Sequence, residues 1–121
     1  MPEGMVFNMN IQIFGTNKCF DTKKAMRYFS ERGIKYQFVD MKQKGMSKGE
    51  MNSVMQAVGG LEALLDENGK DKDTLALIKY LSDEDKIEKL LEKQHLLKTP
   101  VVRNGRKATV GYCPDIWKNW D

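Results

Sequence analysis

A strand–helix–strand pattern near the beginning of the chain constrains the fold most. A short apolar, β-branched run predicts a strand over 9–14. Asp21 can then cap a helix that runs through about Arg32, and Gly33 stops it. A second apolar run predicts a strand over 36–40. Two strands joined by one helix within about thirty residues are expected to be parallel, with a right-handed crossover.

The middle of the chain, from about 45 to 97, is predicted to be a helical insertion. Ser47 and Glu50 have the spacing of a capping box, and they open a helix that a double glycine ends. A short LEALL turn follows, and a second helix is predicted after Asp73. Ser82 opens a third helix, because an acidic residue stands three positions later. The Met and Leu stripes of these helices are expected to face the core.

The last part of the chain predicts a β-hairpin and a short helix. Pro100 ends the helical region, and apolar runs on either side of an Asn-Gly turn predict antiparallel strands that extend to Tyr112. Asp115 then opens a final helix. The order β-α-β, helical block, β-β-α predicts an α/β sheet with a helical insertion. A length of 121 residues fits a single domain over 1–121, with its core over about 9–120.

Charge and hydropathy exclude two classes of partner. The formal net charge is only +3, and the charges are interspersed, which predicts a solvated surface and no direct nucleic-acid binding. No apolar run approaches the roughly eighteen residues of a membrane span. The opening MPEGMVFNMN lacks the features of a signal peptide and is interpreted as a short lead-in. We therefore expect a soluble, cytoplasmic protein, and a monomer.

The inventory of cysteine and histidine limits the possible chemistry. Cys19 and Cys113 are too few for a disulfide framework, and they lack the spacing of zinc ligands, so no metal site is expected. The single histidine, His95, is placed in the last turn of its helix, where its charge suits the helix dipole, and it is given no catalytic role.

Cys19 is the candidate for chemistry, because it lies between the first predicted strand and the first helix. Unpaired N–H groups and the positive end of the helix dipole would stabilise a thiolate there, and Lys18, Lys23 and Lys24 add positive charge. Such surroundings lower the pKa of a thiol and make it nucleophilic. The alternative is that Cys19 only fills space, as free cysteines often do.

Four blocks in order, FGTNKCFDTKKA, GLEALLDENG, LLEKQHLLKTPVV and GRKATVGYCPDIW, resemble the arsenate reductase (ArsC) family, which includes the Spx-type regulators. The resemblance covers about 9–120. It implies a thioredoxin-like fold with a mixed four-stranded sheet, a nucleophilic cysteine at Cys19, and a cis-proline at Pro100 that faces it. The substrate-binding residues expected on this basis are Asn17, Lys18, Lys23, Thr99 and Pro100.

The sequence departs from the pattern of that family at several positions. Family arsenate reductases hold their oxyanion with three arginines, and the matching positions here are Glu62, Thr99 and Tyr112. The nearest cationic residues in the sequence are Lys98, Arg103 and Arg106. We therefore expect weak or absent arsenate reduction.

A second departure concerns the thiols. Thr22 stands where redox-switched Spx-type members keep a second cysteine, so a Cys-x-x-Cys disulfide is excluded. Cys113 is then the possible resolving partner of Cys19; the alternative is that it is a half-buried thiol with no redox role.

Two functions follow from the resemblance and these departures. The first is a thiol-dependent oxidoreductase with no bound cofactor, in which Cys19 attacks a small anionic or disulfide substrate. Glutathione, as the reductant, or a glutaredoxin-type protein would then resolve the adduct. The alternative is a non-enzymatic, Spx-like regulator that binds RNA polymerase.

Overall fold

The computed structural model describes residues 10–120, which contain a mixed sheet of four strands. The strands are β1 (Ile11–Gly15), β2 (Tyr36–Asp40), β3 (Val101–Asn104) and β4 (Lys107–Val110). They lie in the order β2-β1-β3-β4. The β1–β2 pair is parallel, whereas the β1–β3 and β3–β4 pairs are antiparallel. This sheet confirms the predicted thioredoxin-like α/β fold.

Five α-helices accompany the sheet within the described residues: α1 (Phe20–Glu31), α2 (Lys48–Val58), α3 (Lys72–Ile78), α4 (Asp83–Glu92) and α5 (Pro114–Trp117). Helices α2 to α4, with 3₁₀ turns at Leu61–Leu64 and Gln94–Leu96, form the predicted insertion between β2 and β3. The predicted capping box of α2 is confirmed. The Ser47 hydroxyl accepts the N–H of Glu50 at 3.1 Å, and the Glu50 carboxylate accepts the N–H of Ser47 at 2.9 Å.

The two faces of the sheet carry separate hydrophobic clusters, because successive side chains of a strand point to opposite sides. Ile11, Ile13 and Val102 pack against α1 and α5 on one face. Phe14 and Val101 pack against the helical insertion on the other face. The insertion therefore completes the core by covering a face that would otherwise be exposed to water.

Three segments meet at one end of the sheet. Val101 pairs with Phe14 on one side and with Val110 on the other. The loop after β1, the segment before β3 and the segment after β4 therefore converge there. The turn of the β3–β4 hairpin lies at the opposite end, where Asn104 pairs with Ile11.

Several predicted element boundaries were wrong. Asp21 does not cap α1; Cys19 occupies the N-cap position and Asp21 lies in the first turn. Helix α3 begins after Asp71, whose carboxylate accepts the N–H of Thr74, and not after Asp73. The Asp71 side chain thus satisfies a free N–H group of α3, whereas the Cys19 side chain makes no capping hydrogen bond to α1.

Corrections are also needed near the end of the chain. His95 lies in a 3₁₀ turn and not in the last turn of α4, and its Nε2 is 2.9 Å from Asp71 Oδ2. Strand β4 ends at Val110, before Tyr112, because Gly111 turns the chain with a φ of 89°. Helix α5 begins at Pro114, one residue before the predicted Asp115.

The first predicted strand begins at Ile11 and extends to Gly15, and position 9 lies outside the described residues, as does most of the predicted lead-in. Among residues 10–120, no helix combines the length and the apolar character needed to cross a membrane.

Candidate functional site

Cys19 lies at the end of the sheet where the three segments converge. It is the N-cap residue of α1, with an extended backbone, and its N–H donates to the carbonyl oxygen of Thr16 at 3.2 Å. The first free N–H groups of α1 therefore surround its side chain. The sulfur is partly buried, so a substrate can still reach it.

Thr99 contacts the Cys19 sulfur through two of its atoms. The Thr99 hydroxyl donates to Cys19 Sγ at 3.1 Å, and the thiol faces the Thr99 carbonyl oxygen at 3.6 Å. The Thr99–Pro100 peptide bond is cis, which confirms the expectation from the family resemblance. The N–H of Gly111 donates to the Pro100 carbonyl at 2.8 Å, so the backbone after β4 fixes the other side of this segment.

Thr22 approaches the same sulfur from inside α1. Its side chain is completely buried, and its hydroxyl oxygen has no well-oriented hydrogen-bond partner among residues 10–120. It stands three positions after the N-cap, where a side chain reaches back toward the cap residue. A thiolate at Cys19 would give this buried hydroxyl an acceptor.

The surroundings of Cys19 act on its pKa in opposite directions. Burial raises the pKa, whereas groups that can donate a hydrogen bond to a thiolate lower it, namely the side chains of Thr22 and Thr99 and the backbone of Thr22 and Asp21. The net pKa of Cys19 is below that of an ordinary thiol, in the direction the sequence predicts. The predicted N–H groups at the start of α1 contribute to this lowering through Thr22 and Asp21, whereas the predicted contribution of the neighbouring lysines is not found.

The predicted basic residues around Cys19 are spread over the surface. Asn17, Lys18 and Lys23 are exposed. The ammonium of Lys24 lies over the aromatic ring of Tyr112, 4.4 Å from its centroid. The structure therefore brings Cys19, Thr99 and Pro100 together, but it does not gather Asn17 and the lysines into one pocket.

Cys113 is a free thiol at the same end of the sheet. Its Sγ donates to the Val110 carbonyl at 3.4 Å, and it packs against the cluster that contains Trp117. Burial raises the pKa of Cys113, and a Thr109 hydrogen bond and the charge of Lys98 oppose this effect. None of these contacts is with Cys19, so a resolving role for Cys113 stays a prediction.

A cleft of about 520 Å³ is lined by two residues that contact Cys19, although Cys19 itself does not line it. Thr16 and Thr99, which both bond to Cys19, line one part of it, and the loop 41–45 lines another. Gln94 holds that loop, since its side-chain amide accepts the N–H of Met46 at 2.7 Å and donates to the Met46 carbonyl at 2.8 Å. Thr99 therefore connects this cleft to the sulfur, because it lines the cleft and contacts Cys19.

The three positions that match the arginines of family arsenate reductases hold other residues here, and these make other contacts. Glu62 is exposed and pairs with Lys86 at 3.5 Å. Thr99 contacts the sulfur, and the ring of Tyr112 packs edge-on against Trp117. These side chains offer an oxyanion no guanidinium group.

The two arginines of the hairpin are too distant to replace them. Arg103 donates to Gln12 Oε1 at 2.9 Å, and its pairing with Gln12 places it toward the end of the sheet that is opposite Cys19. Arg106 lies in the exposed hairpin turn at that same end.

Comparisons with known proteins agree with this geometry. The model of the ArsC family matches residues 14–120. The chain is 29% identical over 115 residues to the global transcriptional regulator Spx 2 of Oceanobacillus iheyensis, covering 88% of this chain and 80% of that protein.

Solved structures show the same fold. The solution structure of SACOL0876 from Staphylococcus aureus COL matches with a TM-score of 0.76 and 28% identity, covering 91% of this chain and 98% of that one. An arsenate reductase from Vibrio cholerae matches with a TM-score of 0.78 and 22% identity, covering 89% and 94% of the two chains. At that identity the second likeness concerns the fold alone.

Proposed function

The chain belongs to the ArsC family, and on that premise we propose that it is a thiol-dependent oxidoreductase whose nucleophile is Cys19. The observation that carries this proposal is the double contact of Thr99 with the Cys19 sulfur, directly before a cis-proline. One hydroxyl donates to the sulfur, and the adjacent backbone is available to pair with an extended substrate. The lowered pKa of Cys19 supports the same role, because the thiolate is the reactive form.

The proposed reaction is thiol–disulfide exchange on a glutathione mixed disulfide. The Cys19 thiolate attacks the glutathione sulfur, a new S–S bond forms, and the substrate thiolate leaves and takes up a proton. A second glutathione, or a glutaredoxin-type protein, then attacks the sulfur of the bound glutathione and releases Cys19 as a thiolate. Because a low pKa makes Cys19 a good leaving group, the surroundings that stabilise its thiolate assist this second step as well.

The residues around the sulfur have different proposed roles in this reaction. Thr99 and Thr22 would hold the thiolate by their hydroxyl groups, and the cleft beside Thr99 would hold the glutathione backbone. The reaction needs no bound cofactor, but it needs a reducing compartment to return Cys19 to its thiol form. For that reason we place the protein in the cytoplasm.

Arsenate is expected to be a poor substrate. A multiply charged oxyanion is held best by bidentate guanidinium groups, and Glu62, Thr99 and Tyr112 supply none. In an assay coupled to glutathione and glutaredoxin, we expect turnover of arsenate to stay close to that of the Cys19→Ser variant. Turnover well above that of the variant would show that another cation binds the oxyanion.

An Spx-like regulatory function is the second candidate. It is favoured by the relative named as a global transcriptional regulator. Under this proposal the chain would bind RNA polymerase, and Thr22, in place of a second cysteine, would leave it without a Cys-x-x-Cys redox switch.

One experiment separates the two candidates. The purified protein is mixed with 2-hydroxyethyl disulfide and glutathione, and oxidised glutathione is measured for the wild type, Cys19→Ser and Cys113→Ser. The oxidoreductase proposal predicts turnover that Cys19→Ser abolishes. If Cys113→Ser retains the activity, glutathione resolves the adduct alone, whereas a loss assigns Cys113 as the resolving thiol. An inert wild type that binds purified RNA polymerase would instead favour the regulator.

A further inference from the structure

A row of side chains runs along α1 away from Cys19. Phe20, Lys24, Arg27 and Glu31 follow one another at helical spacing, so they share one face of the helix. Phe20, the residue directly after Cys19, is 73% exposed, which is unusual for a large apolar side chain. The row therefore begins next to Cys19 with an aromatic surface that residues 10–120 leave exposed.

Beside this row lies a groove of about 210 Å³. Its lining includes the cations Lys24, Arg27 and Arg32, the carboxylate Glu31, and the ring of Tyr112. The lining carries three positive charges and one negative charge, so the groove has an excess of positive charge. An occupant of complementary charge is acidic.

Lys24 is the groove residue of α1 that stands nearest Cys19 along the helix, and aromatic rings hold it in place. Its ammonium is 4.4 Å from the ring centroid of Tyr112 and 5.7 Å from that of Phe20. Tyr112 is in turn supported edge-on by Trp117, at a centroid distance of 5.5 Å. The two rings hold the Lys24 charge at one position on the first turns of α1, in contrast to the exposed side chains of Lys18 and Lys23.

We propose that this groove binds an acidic, extended segment of the protein whose disulfide Cys19 attacks. The inference rests on the proposed thiol exchange, and it adds the class of partner. A nucleic acid is also an anion, but it offers no sulfur to Cys19, whereas a protein segment can bring a disulfide and carboxylates together.

The helix geometry sets the register of that segment. At 1.5 Å per residue, Lys24 and Arg27 stand about 7.5 Å and about 12 Å along the axis from Cys19. An extended peptide advances about 3.3 Å per residue, so carboxylates about two and about four positions from the reacting cysteine would meet these cations.

The test compares peptides that differ only in the position of their acidic residues. Each carries one cysteine as a disulfide with 5-thio-2-nitrobenzoate. Attack of the Cys19 thiolate on the cysteine sulfur forms the mixed disulfide and releases the coloured thiolate. The near peptide has carboxylates at the second and fourth positions on each side of the cysteine, and the far peptide has them at the eighth and tenth. The measured quantity is the ratio of the two second-order rate constants in Cys113→Ser protein.

Two charge-matched double variants then locate the effect. Lys24→Gln with Arg27→Gln removes two charges from the groove, whereas Arg106→Gln with Lys107→Gln removes two charges from the hairpin at the opposite end of the sheet. We expect the near peptide to react about fivefold faster than the far peptide, since exposed ion pairs contribute modestly. The ratio should fall to about one in the groove variant and should persist in the hairpin variant.

The outcomes distinguish this inference from the function on which it rests. Suppose that 2-hydroxyethyl disulfide reacts with Cys19. If the near and far peptides then react at equal rates with the unaltered groove, or if the rate ratio persists in the groove variant, the groove assignment is overturned and the thiol chemistry stands. If neither the peptides nor 2-hydroxyethyl disulfide reacts, the thiol chemistry fails and the inference fails with it.

Discussion

Replacing Thr99 with Val removes the hydroxyl that donates to the Cys19 sulfur at 3.1 Å and keeps the branched shape of the side chain. A hydrogen bond to a charged group contributes about 1.5–3 kcal/mol. Because the sulfur is partly exposed and water competes for it, we discount this to about 1 kcal/mol in favour of the thiolate. At a pH below the pKa of Cys19, the thiolate population should therefore fall about fivefold.

The assay is the rate of alkylation of Cys19 by iodoacetamide as a function of pH, in a Cys113→Ser background. We expect Thr99→Val to react about fivefold more slowly on the acidic side of the profile, since only the thiolate reacts. The midpoint should move to higher pH, because the lost donor stabilised the charged form. At high pH, where both proteins are fully ionised, the two rates should converge.

Thr99→Ser is the matched control, because it retains the hydroxyl and loses only a methyl group. It should keep a midpoint close to that of the parent protein. An unchanged midpoint in Thr99→Val would refute the assigned hydrogen bond. An equal shift in Thr99→Ser would show that packing, and not the hydroxyl, sets the pKa.

Two further predictions follow from the same site. A Cβ on Gly15 would lie within 3.0 Å of the Thr22 side chain, so Gly15→Ala should cost about 1–3 kcal/mol in chemical denaturation and slow Cys19 alkylation. Adding Thr22→Ala to Gly15→Ala should recover part of the lost stability. If the losses of the two single variants simply add in the double variant, the two residues do not clash. Folding lowers the pKa of Cys19, so at a pH between its folded-state pKa and the ordinary thiol pKa the unfolded chain binds more protons than the folded protein. The free energy of unfolding should therefore rise with pH across that window. This extra stability should be lost as the pH falls through the folded-state pKa of Cys19. The Cys113→Ser variant should show the rise of the free energy of unfolding with pH. If that rise persists after Cys19→Ser is added, its assignment to Cys19 is contradicted.

Element order was predictable from the sequence because each element carries its own local signal. The capping box at Ser47 is found as predicted. The hairpin predicted from Asn104-Gly105 also forms, but Asn104 pairs with Lys107, so its turn residues are Gly105 and Arg106. The start of α1 was placed wrongly because Asp21 is a strong capping residue by type, whereas the helix begins one residue before it. Which candidate caps a helix depends on where the preceding strand ends in the sheet, and that is a tertiary property.

The candidate site was predictable in part for the same reason. The family resemblance led to Cys19 and Pro100, and the structure brings them together at one end of the sheet. The contact of the Thr99 hydroxyl with the sulfur was missed, since the resemblance gives Thr99 only as a substrate-binding residue. Thr22 had a detectable signal: with Cys19 as the N-cap, the Cys-x-x-Thr spacing places the threonine where it faces the cap.

Of the two causes that the sequence suggested for the lowered pKa of Cys19, the N–H groups of α1 were right and the lysines were wrong. Lys18 and Lys23 are close in the chain, but their side chains extend into solvent, where charges act weakly. Proximity along the chain does not determine the direction of a long side chain. The hydrogen bonds that do lower the pKa join Cys19 to a residue eighty positions away as well as to its own helix.

The most direct test of the account is a titration of the Cys19 thiolate itself. The ultraviolet absorbance of the thiolate is followed with pH in Cys113→Ser, and the curve of the protein lacking both cysteines is subtracted. We expect Cys19 to ionise at a pH below that of an ordinary thiol, because Thr99, Thr22 and the first N–H groups of α1 stabilise its charge. Ionisation at or above the ordinary value would contradict a reactive thiolate at Cys19 and the oxidoreductase function proposed from it.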